Sequence, residues 1–379
     1  MPVEVLFVGD LMLSAPDPAR FFAPSREILT GADLAVGHLE WPHTERGQVC
    51  VVDIPAPANP PGHLDAVADA GFGVLTMASN HMFDQGPNGV ADSIAAVRAR
   101  GMEPVGAGMT IEEARRPAIV SRDGVTFGFL SYNAVGPRES WATTVKAGVA
   151  PIRVLNHYEL DVASPGSAPA EFTSVEQESE EAMRADIAAL AATVDVVCVS
   201  IHKGMGFVHA TLASYERPLA RAAVDAGADV VIGHHAHILR GVEVYRGRPI
   251  FHGINHFVPA YTADTDPLGG KRPRPRRAPS IGFFTPDPGQ APFPFPRDSR
   301  HTMIARVAVD DDGIVEAGFI PCYLDPDSVP VPCHGADADA TADYVECITR
   351  DAGLSAEFVR RGQHVTFLDR PAAGERAWA

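Results

Sequence analysis

Five short apolar runs in this 379-residue chain stop at the same kind of place, and that repetition constrains the fold more than any other feature. Val3 to Val8 runs into Gly9-Asp10, Leu34 to Val36 into Gly37-His38-Leu39-Glu40, and Val74 to Ala78 into Ser79-Asn80-His81. Val196 to Ile201 runs into His202, and Asp229 to Ile232 into Gly233-His234-His235-Ala236-His237. Runs this short and this rich in Val, Ile and Leu read as buried strands. Carboxylate, amide and imidazole groups are therefore delivered to strand ends. Between these runs lie segments with helical spacing at 63–70, 89–100 and 214–226, and at 179–193, where Met183, Ile187 and Leu190 share one face. Further strands are expected near Pro104 and at 125–130, 302–309 and 313–320, and helices near 342–350 and 355–361. The alternation of helix and strand predicts an α/β architecture with its loops gathered at one edge.

Residues 264–300 break the pattern. Lys271 to Arg277 and Pro286 to Pro296 carry too much proline for regular structure, which marks a long loop, either a surface insertion or a substrate lid. The chain is therefore expected to divide into a main unit over 1–262 that carries these polar strand ends, a Pro/Arg-rich loop or lid over 263–300, and strands and helices over 301–379 that complete the same domain.

Composition narrows the function. With 46% hydrophobic residues the chain can fill a substantial core, and 31 basic against 48 acidic residues give a formal charge of −17. That field disfavours nucleic acid or an anionic membrane as a partner. The first ten residues have no basic start and no long apolar run, and no later stretch approaches the length of a membrane span, so no membrane anchor and a cytoplasmic location are expected. Five scattered cysteines without a CxxC pair argue against a disulfide framework and fit that compartment.

The polar groups at the strand ends are the parts of a metal cage. A divalent ion needs lone-pair donors converging within roughly 2.0–2.3 Å. A single histidine after a strand is a weak signal. The run His234-His235-Ala236-His237 is a strong one, because adjacent imidazoles have little use on a loop unless something binds them.

The order and spacing of Gly9-Asp10, Leu39-Glu40, Ser79-Asn80-His81-x-x-Asp84-x-Gly86, His202-x-Gly204 and Ala226 to His237, followed by Gly241 to Ile250, resemble the CapA family of poly-γ-glutamate capsule-synthesis proteins over roughly residues 3–258. That family is in turn similar to the calcineurin-like metallophosphoesterases, which implies a four-layer αββα sandwich with two metal ions at its strand ends. Carried over by position, the resemblance implies that Asp10 binds the first metal, that Glu40 bridges, and that Asn80 and His202 bind the second. His235 and His237 would close the second and first sites. His81 would act as proton donor or transition-state stabiliser, with Asp84 orienting its ring. Mixed nitrogen and oxygen donors admit Mn, Fe, Co, Ni or Zn.

The chain also departs from the family pattern. Met12 stands where the phosphatases have an imidazole, and Ser14-Ala15 replaces a Gly-Arg, removing an anion-binding guanidinium. His38, Lys203 and His256 add titratable groups near the expected site, with His43 and His252 as weaker candidates, and Trp41, Phe83, Trp141 and Phe207 are candidate pocket walls. Three functions follow. The first is metal-assisted hydrolysis of an amide or phosphoester in a peptide or amino-acid-derived substrate. The second is acid/base inversion of a Cα centre, as in the lasso-peptide epimerases that some CapA-like proteins resemble, which the added His and Lys favour. The third is a non-catalytic accessory role in capsule synthesis.

Overall fold

The alternation inside the first strand shows how the layers arise. In the computed structural model, which describes residues 2–50, 55–159, 170–259, 295–311 and 313–369, strand β1 (Val3–Met12) sends Val3, Val5 and Phe7 into one hydrophobic cluster and Leu6 and Val8 into another. A pleated strand alternates its faces in this way. Strands β7 (Val125–Asn133), β11 (Val196–His202) and β12 (Val230–His234) do the same, with Phe127, Val196, Cys198, Val230 and Ile232 joining the cluster of Val5 and Phe7. Two sheets therefore face each other across a shared apolar layer.

Their outer faces carry helices. Leu6 and Val8 pack with Leu29 of α1 (Arg26–Gly31), Val67 of α2 (Leu64–Asp69) and Val97 of α3 (Gly86–Arg98). On the other side Leu130, Val197 and Val231 pack with Ile187 of α5 (Gln177–Ala191) and Leu219 of α6 (Glu216–Asp225), near the short α4 (Ile111–Ala114). Helix, sheet, sheet, helix is the expected four-layer order.

The first sheet runs β19 (Val359–Arg361), β20 (His364–Asp369), β17 (Gly313–Leu324), β16 (His301–Asp310), β1, β2 (Leu34–Leu39), β3 (Phe72–Thr76), β4 (Glu103–Val105). Strand β15 (His256–Pro259) also pairs with β1, and β18 (Pro330–Pro332) with β17. The second sheet runs β13 (Val242–Tyr245), β14 (Arg248–Phe251), β12, β11, β7, β6 (Ala118–Arg122). Two small ribbons, β5 (Ala107–Gly108) with β8 (Gly148–Val149) and β9 (Val154–Glu159) with β10 (Ala170–Val175), complete the strands, and α7 (Ala336–Asp351) packs on β17 and β13. Strands β1 to β4 are mutually parallel, as are β7, β11 and β12, so their carboxyl ends gather at one edge.

Several sequence expectations are corrected. Strand β1 does not stop at Gly9 but continues to Met12, with a register shift between Phe7 and Asp10. Likewise β2 continues to Leu39, so His38 lies within it. The helix expected at 355–361 is absent: Val359–Arg361 pairs antiparallel with β20, and cross-strand bonding outweighs the weak helical spacing. Most of the expected 263–300 loop lies outside the described residues, and of it Phe295 and the 3-10 turn Arg297–Arg300 are described. Among the described residues no helix is long and apolar enough to cross a membrane.

Candidate metal centre

The segment 252–256 sets the geometry of the site. It passes so close to both sheets that a Cβ on Gly9 would lie 1.9 Å from the Asn255 carbonyl oxygen, and one on Gly233 would lie 2.1 Å from that of His252. The Asp10 amide donates to the Asn255 carbonyl (3.1 Å) and the Ile254 amide to that of Gly233 (3.1 Å). Only glycine permits this approach from both sides. The two sheets are thereby tied together beside Asp10 and His234.

All six expected ligands meet here. Asp10, Glu40 and His237 offer ligand atoms within 4.8 Å of one another, with His237 Nδ1 3.5 Å from Asp10 Oδ2 and His237 Nε2 3.5 Å from Glu40 Oε1. Asn80 Oδ1 lies 2.8 Å from His202 Nε2, which lies 3.1 Å from His235 Nδ1. Donor spacings of this order suit ligands around an ion with bonds of roughly 2.1 Å. The His235 amide also donates to Asp10 Oδ2 at 3.2 Å, joining the two groups.

The electrostatics match the donor set. Asp10 and Glu40 are fully buried, and Asp10 Oδ1 and both Glu40 oxygens have no hydrogen-bond partner. Burial pushes Asp10 up to about 6 and Glu40 well above the usual carboxylate range, with Asp10 and Asp84 adding repulsion on Glu40. Burial also holds His235 at about 4 and takes His202 and His237 well below the usual imidazole range, so the rings are neutral and carry free lone pairs. Among the described residues the ion-pair partners of these two carboxylates are imidazoles alone. Buried carboxylates facing neutral imidazoles fit a divalent cation.

His81 stands at the edge. Its side chain keeps 21% exposure, and Nδ1 lies 2.6 Å from Asp84 Oδ2, whose carboxylate also accepts from the Ala56 amide at 2.6 Å. Nδ1–H donates to the carboxylate, which leaves Nε2 as the nitrogen presented outward.

The added titratable groups fare differently. His38 lies inside the cluster, fully buried and stacked on His202 and His234. His256 is buried with its ring 5.8 Å from that of His237 and 4.8 Å from Phe295, and burial takes it down to about 3. Lys203 does not join them, because its ammonium is fully buried and committed to Glu216 Oε2 and the His252 carbonyl, both at 3.1 Å. His252 lies behind it, 3.3 Å from Glu243, and His43 donates from Nδ1 to the Trp41 carbonyl.

Of the aromatic candidates, Phe207 stacks near His237 at 5.8 Å, while Trp41 packs with Met12 and Phe295. Phe83 lies under the Lys146 ammonium. Trp141 lines a cleft of about 890 Å³ together with Arg138, Phe172, Gly204, Met205 and Tyr215. Sequence reasoning passed over His234 in favour of its neighbours, yet its Nδ1 sits 3.2 Å from Asp10 Oδ1. The signal was present in the adjacency of the two histidines.

The family described as bacterial capsule synthesis protein PGA_cap matches residues 4–261. The PGA biosynthesis protein CapA of Bacillus subtilis is 27% identical over 263 residues, covering 66% of this chain and 62% of its own length. The capsule biosynthesis protein CapA of Bacillus anthracis is 29% identical over 195 residues, covering 52% and 42%. The chain thus spans about three-fifths of the first relative and two-fifths of the second. Among solved structures, the calcineurin-like phosphoesterase YfkN of Bacillus subtilis aligns with a TM-score of 0.42 at 12% identity, covering 93% of this chain and 98% of that one.

Proposed function

The chain belongs to the bacterial capsule synthesis protein family PGA_cap, and on that premise we propose that it is a metal-dependent hydrolase cleaving an amide or phosphoester bond in a peptide or amino-acid-derived substrate. The observation that carries this reading is the convergence of Asp10, Glu40, Asn80, His202, His235 and His237, with carboxylate oxygens that no hydrogen bond satisfies. Asp10, Glu40 and His237 would hold one divalent ion and Asn80, His202 and His235 a second, with Glu40 shared. Ions held there supply Lewis acidity to a carbonyl or phosphoryl oxygen and to the attacking water.

The chain's own residues divide the remaining work. His81 keeps 21% of its side chain exposed against 13% for His237 and is not one of the six ligands, so it is the proton carrier offered to a substrate. Asp84 holds the ring through Nδ1 and so fixes its orientation, and Nε2 would donate a proton to the leaving group. Inversion at Cα would need two accessible proton carriers, and Lys203, one of those expected, is committed to Glu216.

The test joins metal content with chemistry. Purified protein is expected to retain divalent metal by elemental analysis and to hydrolyse γ-glutamyl peptides or bis-p-nitrophenyl phosphate. The His81→Ala variant should keep its metal but lose roughly 10²–10⁴-fold in kcat. Deuterium appearing at a Cα in D2O without chain cleavage would sink the hydrolase reading. Failure of the wild type to retain metal would favour an accessory role.

A further inference from the structure

We propose that His38 is itself a metal ligand, entering the centre through Nε2 beside Asp10 and His202. The proposal rests on the metal-dependent reading above but concerns a residue outside its six ligands. Asp10 and His38 are register partners on the parallel strands β1 and β2, so their side chains leave the sheet on the same face. Asp10, His38 and His202 each bring a ligand atom within 4.8 Å of the others.

The hydrogen bonds fix which nitrogen is available. The Thr76 hydroxyl donates to the Gly37 carbonyl at 3.3 Å, and its oxygen accepts from the Ser200 hydroxyl at 3.4 Å. With that proton given to Gly37, Thr76 Oγ1 accepts from His38 Nδ1, 2.8 Å away, the arrangement that leaves Nε2 bare. Nδ1 therefore carries the ring's proton, and Nε2 carries a bare lone pair. That nitrogen is buried and has no hydrogen-bond partner. His43 Nε2 is equally bare, and what sets His38 apart is its place in one group with Asp10 and His202.

A ring that donates one N–H to a fixed acceptor and keeps its other nitrogen bare, in a group that includes a buried carboxylate, is set up as a metal-bound histidine. The alternative, proton exchange with substrate, has no route. The ring has no exposed surface, and its two neighbours stack on it, His202 at 4.9 Å with an interplanar angle of 22° and His234 at 4.2 Å with one of 14°. Thr76, on β3, is then a positioning residue.

The test reads binding, not turnover. Metal-free full-length protein is titrated with Co(II), following visible absorption and heat, for wild type, His38→Gln, Thr76→Val and, as a control, His43→Gln. Circular dichroism of each metal-free variant checks the fold. His38→Gln is expected to weaken binding of one ion by roughly 10–100-fold and to change the Co(II) absorption, and Thr76→Val to weaken it in the same direction. His43→Gln should match the wild type. Wild-type affinity and spectrum in a folded His38→Gln would overturn the proposal, and so would wild-type affinity in Thr76→Val if the first variant does not fold. If the wild type itself bound no Co(II), the metal-dependent reading would fall instead.

Discussion

Two of the proposed ligand positions are built on unfavourable backbone. His235 and His237 have φ of 83° and 49°, the left-handed region that non-glycine residues rarely occupy. Such conformations cost of order 1–3 kcal/mol and persist where the surroundings hold them, which is common at functional sites. If the strain is kept for metal binding, it should be separable from the rest of the residue's role. Replacing His235 by Gly and by Ala removes the same ring, but only Gly relaxes at positive φ. The Gly variant should therefore be more stable than the Ala variant by about 1 kcal/mol in urea unfolding of metal-free protein, with both losing metal. Equal stabilities would mean the left-handed backbone carries no strain. That these six side chains would come together was legible in the sequence, because each follows an apolar run. Their neighbours were not: the tautomer of His38 depends on Thr76, 38 residues on, and the commitment of Lys203 depends on Glu216 of a later helix. Periodicity reports which face a side chain occupies, not which partner it meets there.

At the scale of elements, the strands that position the site were read correctly as strands and wrongly at their ends. An apolar run ends in the sequence where polar ligands begin, yet backbone pairing continues: β1 carries Asp10 between His38 on β2 and His256 on β15. Strand β15 was not read at all, since four buried residues so soon after the preceding apolar run give too short a pattern. Its consequence is the close passage of 252–256 over Gly9 and Gly233. Gly9→Ala forces its new methyl into the Asn255 carbonyl, a backbone atom with nowhere to move without breaking the Asp10 amide bond to the same oxygen. The variant should lose about 3 kcal/mol or somewhat more, beyond the usual cost of one extra methyl in a core. It should also weaken metal binding, because Asp10 shifts with its strand. Gly62→Ala, where a Cβ meets nothing within 4 Å, is the matched control and should be near neutral. Chemical denaturation of the two variants beside the wild type decides the point.

For the whole molecule, the balance of acidic and basic residues says that the protein is acidic, but its response to acid is set by buried histidines. Burial holds His43 at about 3 and His252 at about 4, the latter despite the Glu243 carboxylate that favours its charged form. In the unfolded chain both titrate near 6.5. The folded pKa values are depressed, so the unfolded state binds more protons as pH falls. The stability that these rings contribute is complete above about 6.5 and is lost progressively down to the folded values. Each ring removes up to about 1.4 kcal/mol per pH unit within that window. Asp10, pushed up to about 6, works in the opposite sense in metal-free protein, since protonation below that value relieves its burial. The contribution of the two histidines must therefore be isolated by difference. Urea unfolding of metal-free wild type and of a His43→Gln/His252→Gln variant between pH 7 and 4.5 should give parallel curves above about 6.5. Below it the wild type should fall more steeply, by up to about 3 kcal/mol per pH unit for the pair. Both rings lie outside the proposed ligands, so the divergence should persist when the experiment is repeated with metal bound. Curves that stay parallel throughout would mean that these buried rings take up protons in the folded protein as readily as in the unfolded chain.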